Sequence, residues 1–361
     1  MRNYDRKLVL EDGVEFLGFG FGSGVERVCE VVFNTSSVGY QEIVSDPSYT
    51  DQAVVMTYPL IGNYGVTDED FECINPSIGG MIVCDYNDSP SNFRSVKTLN
   101  ELFEDFNIPG ISGIDTRKLT RSIRDKGARR ALITSIETPA EEAIQRIVST
   151  PVPRDAVSRV SCKKRRYWRT ADAKFNVVAI DCGIKLNIVR KLKQYGCNVV
   201  IVPYNTTPKE IQDLRPDGVF ISNGPGDPQD VGVVVETVRS LRGLIPIWGI
   251  CLGHQIISLA YGAKTYKLKF GHRGGNHPVK NLQTGKIEIT SQNHGYAVEA
   301  DSVNDTSLSI THLNLLDNTV EGVACEEDRV FGVQYHPESA PGPQDSLYLF
   351  DKFTQIMSES K

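Results

Sequence analysis

The stretch Ile245-Pro-Ile-Trp-Gly-Ile-Cys-Leu-Gly-His-Gln-Ile-Ile-Ser-Leu-Ala260 decides the fold of the second half of the chain. Its first six residues form a short apolar run, which predicts a buried strand. Leu252, Ile256 and Leu259 follow at helical spacing and predict the apolar stripe of a helix. Only Cys251 stands between the two patterns, so the sequence predicts a sharp strand-to-helix turn with a cysteine at the bend.

Strands alternate with helical patterns on the N-terminal side of this turn. The strand-like runs are residues 177–181, 198–203 and 218–222. This alternation predicts an α/β domain with a mostly parallel sheet flanked by helices, where ligands bind at the carboxyl ends of the strands. We therefore expect Cys251 and the glycine-containing loop 222–228 to lie at the same edge of the sheet.

The first part of the chain has a different pattern, with mixed strands and short amphipathic helices that predict a smaller mixed α/β domain over residues 1–150. Asp115 is expected to cap one helix there, and Thr138 to cap the last, which should end near Ser149. Residues 151–174 are rich in proline and basic residues and are interpreted as a linker. The second domain then covers residues 175–361.

Composition excludes several classes of protein. A formal net charge of −6 and a pI near 5.6 argue against a nucleic-acid-binding protein, which would need a basic face. The sequence has no apolar run of about 18 residues and no leader-like start, so we expect a cytoplasmic protein that does not bind a membrane. The eight cysteines form no Cys-x-x-Cys pair, so no disulfide framework is predicted.

The pentapeptide Gly249-Ile250-Cys251-Leu252-Gly253 has the form of a nucleophile elbow. Glycines on both sides tolerate a strained turn and let a substrate approach, and the first turn of a helix favours a thiolate. A buried structural cysteine is the alternative interpretation. The N–H groups of Leu252 and Gly226 are candidate donors to an oxyanion, because both follow parallel strands.

A cysteine nucleophile needs a base, and His336 is the best placed of the six histidines. Glu338 would orient its imidazole, although a solvated His–Glu pair remains an alternative. His254 should face away from the strand ends and is expected to be structural. His272 and His277 have no carboxylate or cysteine at metal-ligand spacing in the sequence, so no metal site is predicted.

The motifs GICLGHQ (249–255), SNGPGDP (222–228) and HPES (336–339) resemble those of the class I, or triad, glutamine amidotransferases. The segments FNTSSVGYQEIVSDPSYTDQ (33–52) and KFGHRGGNHPV (269–279) are further similar to the carbamoyl-phosphate synthetase small-subunit family. The resemblance extends over nearly the full length. It implies a flavodoxin-like fold for the second domain.

The resemblance implies that Cys251, His336 and Glu338 form a triad that hydrolyses L-glutamine through a γ-glutamyl thioester. It also implies a set of glutamine-binding residues: Ser48, Gly224, Gly226, Leu252, Gln255, Asn293, Gly295 and Tyr296. No cofactor is implied for this chain. ATP and magnesium are implied for a large-subunit partner, which would use the ammonia and bicarbonate to make carbamoyl phosphate for arginine and pyrimidine synthesis.

Other functions remain open from the sequence. The chain could supply ammonia to a different synthetase, or act as a free-standing hydrolase that needs no partner for full turnover. A non-catalytic interaction subunit is the alternative from another class. The preferred hypothesis predicts a heterodimer with the large subunit and leaves open whether heterodimers form a higher oligomer.

Overall fold

The computed structural model describes residues 3–360, which form two compact units with the boundary between Pro153 and Arg154. The N-terminal unit is a mixed α/β structure. Its strands are β1 (Arg6–Leu10), β2 (Glu15–Gly22), β3 (Arg27–Asn34), β4 (Gln52–Met56), β5 (Leu60–Ile61), β6 (Gly80–Ile82), β7 (Asp85–Tyr86), β8 (Pro109–Ser112) and β9 (Arg129–Ser135). Its helices are α1 (Tyr40–Ser45), α2 (Leu99–Asp105), α3 (Thr116–Lys126) and α4 (Ala140–Ser149), and a 3-10 turn covers Pro47–Tyr49.

Seven of these strands close into a barrel in the order β1-β2-β8-β6-β4-β3-β9, and β9 completes it by pairing with β1. Strands β5 and β7 form a separate two-stranded sheet. Outside the barrel, α4 packs Ala143 and Ile147 against Val9 and Leu132. The N-terminal unit thus has buried clusters of apolar side chains of its own.

The two predicted helix caps have different outcomes. The Asp115 side chain accepts a hydrogen bond from the Lys118 N–H, which confirms it as the cap of α3. The cap predicted at Thr138 is wrong, because Pro139 is the N-cap residue of α4. The Thr138 hydroxyl bonds instead to the Thr134 hydroxyl at 2.8 Å. The end of α4 at Ser149 is as predicted.

The C-terminal unit contains ten strands and seven helices among its described residues. The strands are β10 (Arg166–Trp168), β11 (Phe175–Asp181), β12 (Cys197–Pro203), β13 (Gly218–Ile221), β14 (Ile247–Ile250), β15 (Thr265–Asn281), β16 (Ile287–Val298), β17 (Ser309–Asn314), β18 (Val320–Cys325) and β19 (Val330–Val333). The helices are α5 (Ala156–Val160), α6 (Leu186–Gln194), α7 (Pro208–Asp213), α8 (Gly232–Leu241), α9 (Leu252–Ala260), α10 (Ala300–Val303) and α11 (Tyr348–Glu359), and a 3-10 turn covers Pro228–Val231.

All ten strands form one sheet in the order β10-β12-β11-β13-β14-β19-β18-β16-β15-β17. The five strands from β12 to β19 in this order are parallel. The other pairings are antiparallel. The predicted α/β domain is therefore present, but its sheet is mixed rather than mostly parallel, because long β15 and β16 add an antiparallel half that the short strand-like runs did not indicate.

The predicted linker over residues 151–174 differs from the structure. Its greater part belongs to the C-terminal unit and carries α5 and β10. Strand β10 pairs antiparallel with β12, matching Arg166 with Ile201 and Trp168 with Val199. The basic composition of this segment reflects an exposed edge strand, since charged side chains on a sheet edge oppose further strand pairing.

Among residues 3–360, none of the helices combines the length and the apolar character that a membrane crossing would require.

An aromatic cluster lies on one face of the large sheet. Trp248 of β14 is fully buried and contacts Phe220 and Phe350 edge-on, with ring centroids 5.3 and 4.8 Å away. Phe331 stacks on it at 5.4 Å, and Phe353 lies at 5.5 Å. Because β14 leads directly into the Cys251 turn, this cluster fixes the strand that positions the turn.

Trp248→Ala is expected to lower the free energy of unfolding of the C-terminal unit by about 3–5 kcal/mol, because it leaves a cavity among four aromatic rings. Urea unfolding followed by circular dichroism measures the loss. Trp248→Phe should lose less, and Leu244→Ala, at a side chain that is 61% exposed, should stay within about 0.5 kcal/mol of the parent. Equal losses for Trp248→Ala and Leu244→Ala would contradict this account of the core.

Candidate active site

Cys251 occupies the bend between β14 and α9, as the sequence predicts. It is the N-cap residue of α9 and has φ 55° and ψ −105°, a backbone conformation that residues with a side chain rarely adopt. Its N–H donates to the Val333 carbonyl at 2.8 Å, which ties the bend to β19. The side chain is 2% exposed, and its Sγ donates to the Asn293 carbonyl at 3.5 Å.

Two glycines make this bend possible. A Cβ atom on Gly249 would lie 2.5 Å from the backbone carbon of Gly253, and one on Gly253 would lie 2.2 Å from the Ile221 carbonyl oxygen. Both distances are too short for any side chain. The first turn of α9 can therefore pack directly against β13 and β14 only because both positions are glycine.

His336 follows β19, the strand next to β14, and is buried with Glu338. Its Nδ1 hydrogen-bonds the Glu338 Oε1 at 2.8 Å. Among the described residues, its Nε2 has no partner that meets hydrogen-bond geometry. Burial lowers the pKa of His336, but the Glu338 charge and the Cys251 side chain raise it more, to about 10. The structure thus brings Cys251, His336 and Glu338 together.

Lys185 is a site residue that the sequence analysis missed. Its Nζ lies 3.0 Å from the Glu338 Oε1 and also donates to the Ser339 carbonyl at 3.0 Å, and both charged side chains are buried. Burial raises the pKa of Glu338, but the Lys185 and His336 charges have a larger effect in the opposite direction and lower it to about 2. The signal in the sequence was its position four residues after Asp181, at the carboxyl end of β11.

The loop after β13 lies beside these groups. A Cβ atom on Gly224 would lie 2.1 Å from the Cys182 carbonyl oxygen and 2.9 Å from the Leu252 side chain, so this glycine packs tightly against both. Gly226 has φ 88°, in the left-handed region that favours glycine. The predicted oxyanion donors Gly226 and Leu252 therefore lie on neighbouring elements at one edge of the sheet.

Gln255, one turn into α9, is 3% exposed. Its Nε2 donates to the Tyr296 carbonyl at 2.8 Å and to the Gln334 Oε1 at 2.9 Å. Asn293 is buried, while Gly295 and Tyr296 are half-buried. Strand β16 therefore supplies a wall next to α9.

Two further residues of the sequence analysis are Ser48 and His254. Ser48 belongs to the 3-10 turn of the N-terminal unit, where its N–H donates to the Asp46 carboxylate at 2.9 Å, and its role stays a prediction. His254 is fully buried against Gly332, and burial lowers its pKa to about 3. Such a histidine is neutral at physiological pH and lies inside the core.

Comparison with known proteins decides the family. The model of the carbamoyl-phosphate synthase small chain, CPSase domain, matches residues 8–133, and that of the class-I glutamine amidotransferases matches residues 178–356. A carbamoyl phosphate synthase small chain from Fusobacterium nucleatum is 53% identical over 350 residues, covering 97% of each chain. The chain belongs to the carbamoyl phosphate synthase small chain family.

Two further members of the family have similar coverage. A small chain from Staphylococcus epidermidis is 51% identical over 99% of this chain and 97% of its own length. A pyrimidine-specific small chain from Halalkalibacterium halodurans is also 51% identical, over 99% of this chain and 98% of its own. The similarity thus includes both units.

The contribution of the buried ion pair between Lys185 and Glu338 to stability can be tested by substitution. Lys185→Met is expected to lower the free energy of unfolding at pH 7 by about 3–5 kcal/mol, because it leaves the Glu338 charge buried and only partly compensated. The double variant Lys185→Met/Glu338→Gln should lose less than the single variant, because no unpaired charge remains. Urea unfolding measures both, and losses that simply add would contradict the pairing.

The pKa of His336 gives a second test. The imidazole should remain doubly protonated at pH 8, where an ordinary histidine with a pKa of 6.5 is neutral. Because folding raises this pKa, its contribution to stability is present below about pH 6.5 and is lost as the pH rises through about 10. Nitrogen-15 NMR of the imidazole measures the titration. Glu338→Gln should lower the pKa, and an unchanged titration would contradict the proposed role of the carboxylate charge.

Proposed function

We propose that this chain hydrolyses L-glutamine at Cys251 and delivers the ammonia to the large subunit of carbamoyl phosphate synthase. The observation that carries the proposal is the buried group Cys251–His336–Glu338 at the carboxyl ends of β14 and β19. A thiol, an imidazole and a carboxylate in this order are the components of nucleophilic acyl transfer. Family membership gives the acceptor of the ammonia.

The first half of the reaction forms a thioester. The Cys251 thiolate attacks the side-chain amide carbon of glutamine, and the carbonyl oxygen becomes an oxyanion. The N–H groups of Gly226 and Leu252 stabilise this charge, and loss of one such donor typically costs about 3–4 kcal/mol. His336 then donates its Nε2 proton to the departing nitrogen, so ammonia leaves and the γ-glutamyl thioester remains.

The second half regenerates the enzyme. His336 Nε2 takes a proton from water, which attacks the thioester carbon and expels the Cys251 thiolate with glutamate as product. Glu338 holds Nδ1 protonated and offsets the imidazolium charge, and Lys185 keeps Glu338 ionised. A glutamate that stays ionised fixes the tautomer through both half-reactions.

The substrate pocket is formed by residues after the parallel strands together with β16. The Oε1 of Gln255 is proposed to accept a hydrogen bond from the substrate's ammonium group, because its Nε2 is already held by β16 and β19. The full proposed set is Ser48, Gly224, Gly226, Leu252, Gln255, Asn293, Gly295 and Tyr296. The five parallel strands carrying these loops would be the flavodoxin-like part of the domain.

This chain needs no cofactor for the proposed reaction, since a thiolate and an imidazole supply the nucleophile and the proton. ATP and magnesium are proposed to act in the large subunit, which makes carbamoyl phosphate from bicarbonate, two ATP and the delivered ammonia. The partner is this large subunit, and the heterodimer is proposed to assemble further in the cytoplasm. The unit that ends at Pro153 and the unit that begins at Arg154 would form the N-terminal and amidotransferase domains of this chain.

Cys251→Ser is expected to abolish carbamoyl phosphate synthesis from glutamine in the complex with the large subunit, while synthesis from added ammonium persists. The hydroxyl of serine is a far weaker nucleophile than a thiolate in this site. A coupled assay with either nitrogen donor measures both rates. Cys84→Ser, at an exposed cysteine, is the matched control and should use both donors.

Two results would contradict the proposal. Undiminished glutamine use by Cys251→Ser would exclude the cysteine as nucleophile. Full glutaminase turnover without the large subunit, unaffected by adding it, would instead indicate a free-standing hydrolase.

A further inference from the structure

A second group of buried ionisable side chains lies in the antiparallel half of the large sheet. His272 of β15, His294 of β16 and Glu321 of β18 each point one ligating atom toward a common centre, and these atoms lie within 4.8 Å of one another. His272 and His294 are cross-strand partners. Their exposures are 7%, 4% and 0%. The mechanism proposed for Cys251 uses none of these three side chains.

The hydrogen bonds fix which ring nitrogens carry protons. The Nδ1 of His294 lies 2.7 Å from the Tyr296 carbonyl, which can only accept, so Nδ1 is the donor. The Nε2 of His272 lies 2.8 Å from the Asp317 carboxylate and donates to it. A neutral ring protonated at one nitrogen presents a lone pair at the other. In the neutral form, each ring therefore carries its lone pair on the nitrogen nearer Glu321. Burial lowers the pKa of His272, but the Asp317 and Glu321 carboxylates raise it more, to about 9, so an ion that binds there displaces the Nδ1 proton.

These two inward nitrogens are buried without hydrogen-bond partners. Across residues 3–360, neither His294 Nε2 nor His272 Nδ1 meets a group in hydrogen-bond geometry. His272 Nδ1 lies 3.7 Å from the Glu321 Oε1, which is too long for a hydrogen bond. A buried polar atom without a partner is costly, so two that face one carboxylate indicate a missing ligand.

The groups behind the three side chains hold them in place. Asn314 Nδ2 donates to Glu321 Oε1 at 3.0 Å, and Gln292 Nε2 donates to Oε2 at 2.9 Å. The Tyr296 carbonyl holds the imidazole of His294, and the Asp317 carboxylate holds that of His272. Metal-binding histidines characteristically donate their other N–H to such groups, and metal-binding carboxylates are themselves hydrogen-bonded.

We propose that His272 Nδ1, His294 Nε2 and Glu321 bind one Zn²⁺ ion. Two imidazoles and a carboxylate form a ligand set that zinc prefers, whereas Mg²⁺ and Ca²⁺ prefer oxygen ligands alone. Bonds of about 2.0–2.2 Å in a tetrahedron place ligand atoms about 3.5 Å apart, so binding requires the widest pair to close by roughly an ångström. A water molecule completes the four ligands.

The ion would act on the structure of the sheet. It would join β15, β16 and β18, which are neighbouring strands. His294 directly follows Asn293, whose carbonyl accepts from the Cys251 thiol. Zinc would therefore hold the segment of β16 that forms a wall of the glutamine pocket.

The test uses the full chain with Cys251→Ser as background, because a reactive thiolate also binds zinc. The metal-free protein is incubated with Zn²⁺ alone, dialysed, and analysed for metal by mass spectrometry. One bound ion per chain is expected, with a raised Tm. Anomalous diffraction at the zinc edge should place the ion between His272, His294 and Glu321. Because this readout needs no further variant, it does not depend on whether the variants fold.

Substitutions identify the ligands. His294→Gln and Glu321→Gln should each weaken zinc binding by about 100-fold or more, and Asp317→Asn by about 10- to 100-fold through the outer hydrogen bond. His312→Gln is the matched control, since His312 is a buried histidine that bonds Thr311 outside the cluster, and its zinc affinity should not change.

Cobalt substitution gives an independent signature. Co²⁺ should show the visible bands of a tetrahedral nitrogen and oxygen site without a sulfur charge-transfer band. The proposal is overturned if no zinc is retained, if His294→Gln binds as tightly as the parent, or if the ion lies at cysteine residues. Each of these results would leave the cluster as an ion pair of His272 with the Asp317 and Glu321 carboxylates, in which His272 hydrogen-bonds Asp317.

Discussion

The positive φ of Cys251 is the constraint on which the candidate site depends. A residue with a side chain in such a conformation costs on the order of 1–3 kcal/mol, and it persists only where its surroundings hold it. Here the Cys251 N–H is fixed to the Val333 carbonyl, and Gly253 lies close enough to the Ile221 carbonyl that no Cβ fits. The strained bend thus binds α9, β13 and β19 together and places the thiol at the edge of the sheet.

The charged groups of the candidate site lie at the same edge of the sheet, where the parallel strands end. Lys185 follows β11, Gly226 follows β13, Cys251 follows β14 and His336 follows β19. Because these strands are parallel neighbours, residues that are far apart in sequence meet at their carboxyl ends. A buried carboxylate is tolerable there only because Lys185 and His336 both contact it. The group of Cys251, His336 and Glu338 is therefore completed by Lys185, which follows a third strand.

Local patterns in the sequence predicted the parallel strands, the Cys251 bend and the Asp115 cap, because each depends on neighbouring residues. Contacts between distant residues were not predictable in this way. Thr138 has the composition of a cap but bonds Thr134. Lys185 is marked in the sequence by its position after β11 alone, and its contact with Glu338 joins residues more than 150 positions apart. Residues 154–174 have the composition of a linker because the edge strand β10 is rich in charged residues. Strand β15 contains too many glycines and polar residues to show the alternating pattern of a strand.

Buried polar residues connect the antiparallel half of the sheet to the elements beside it. Gln255 bonds both the Tyr296 carbonyl and the Gln334 side chain, so α9 is joined to β16 and to the end of β19 beside Cys251. Polar side chains buried beside the sheet must find partners, and here the partners lie on neighbouring strands and on α9. Such a network fixes β16 relative to α9, since a shift of β16 by one residue would move the Tyr296 carbonyl away from Gln255. The parallel half thus positions Cys251 and His336, and polar contacts hold the β16 wall beside them in place.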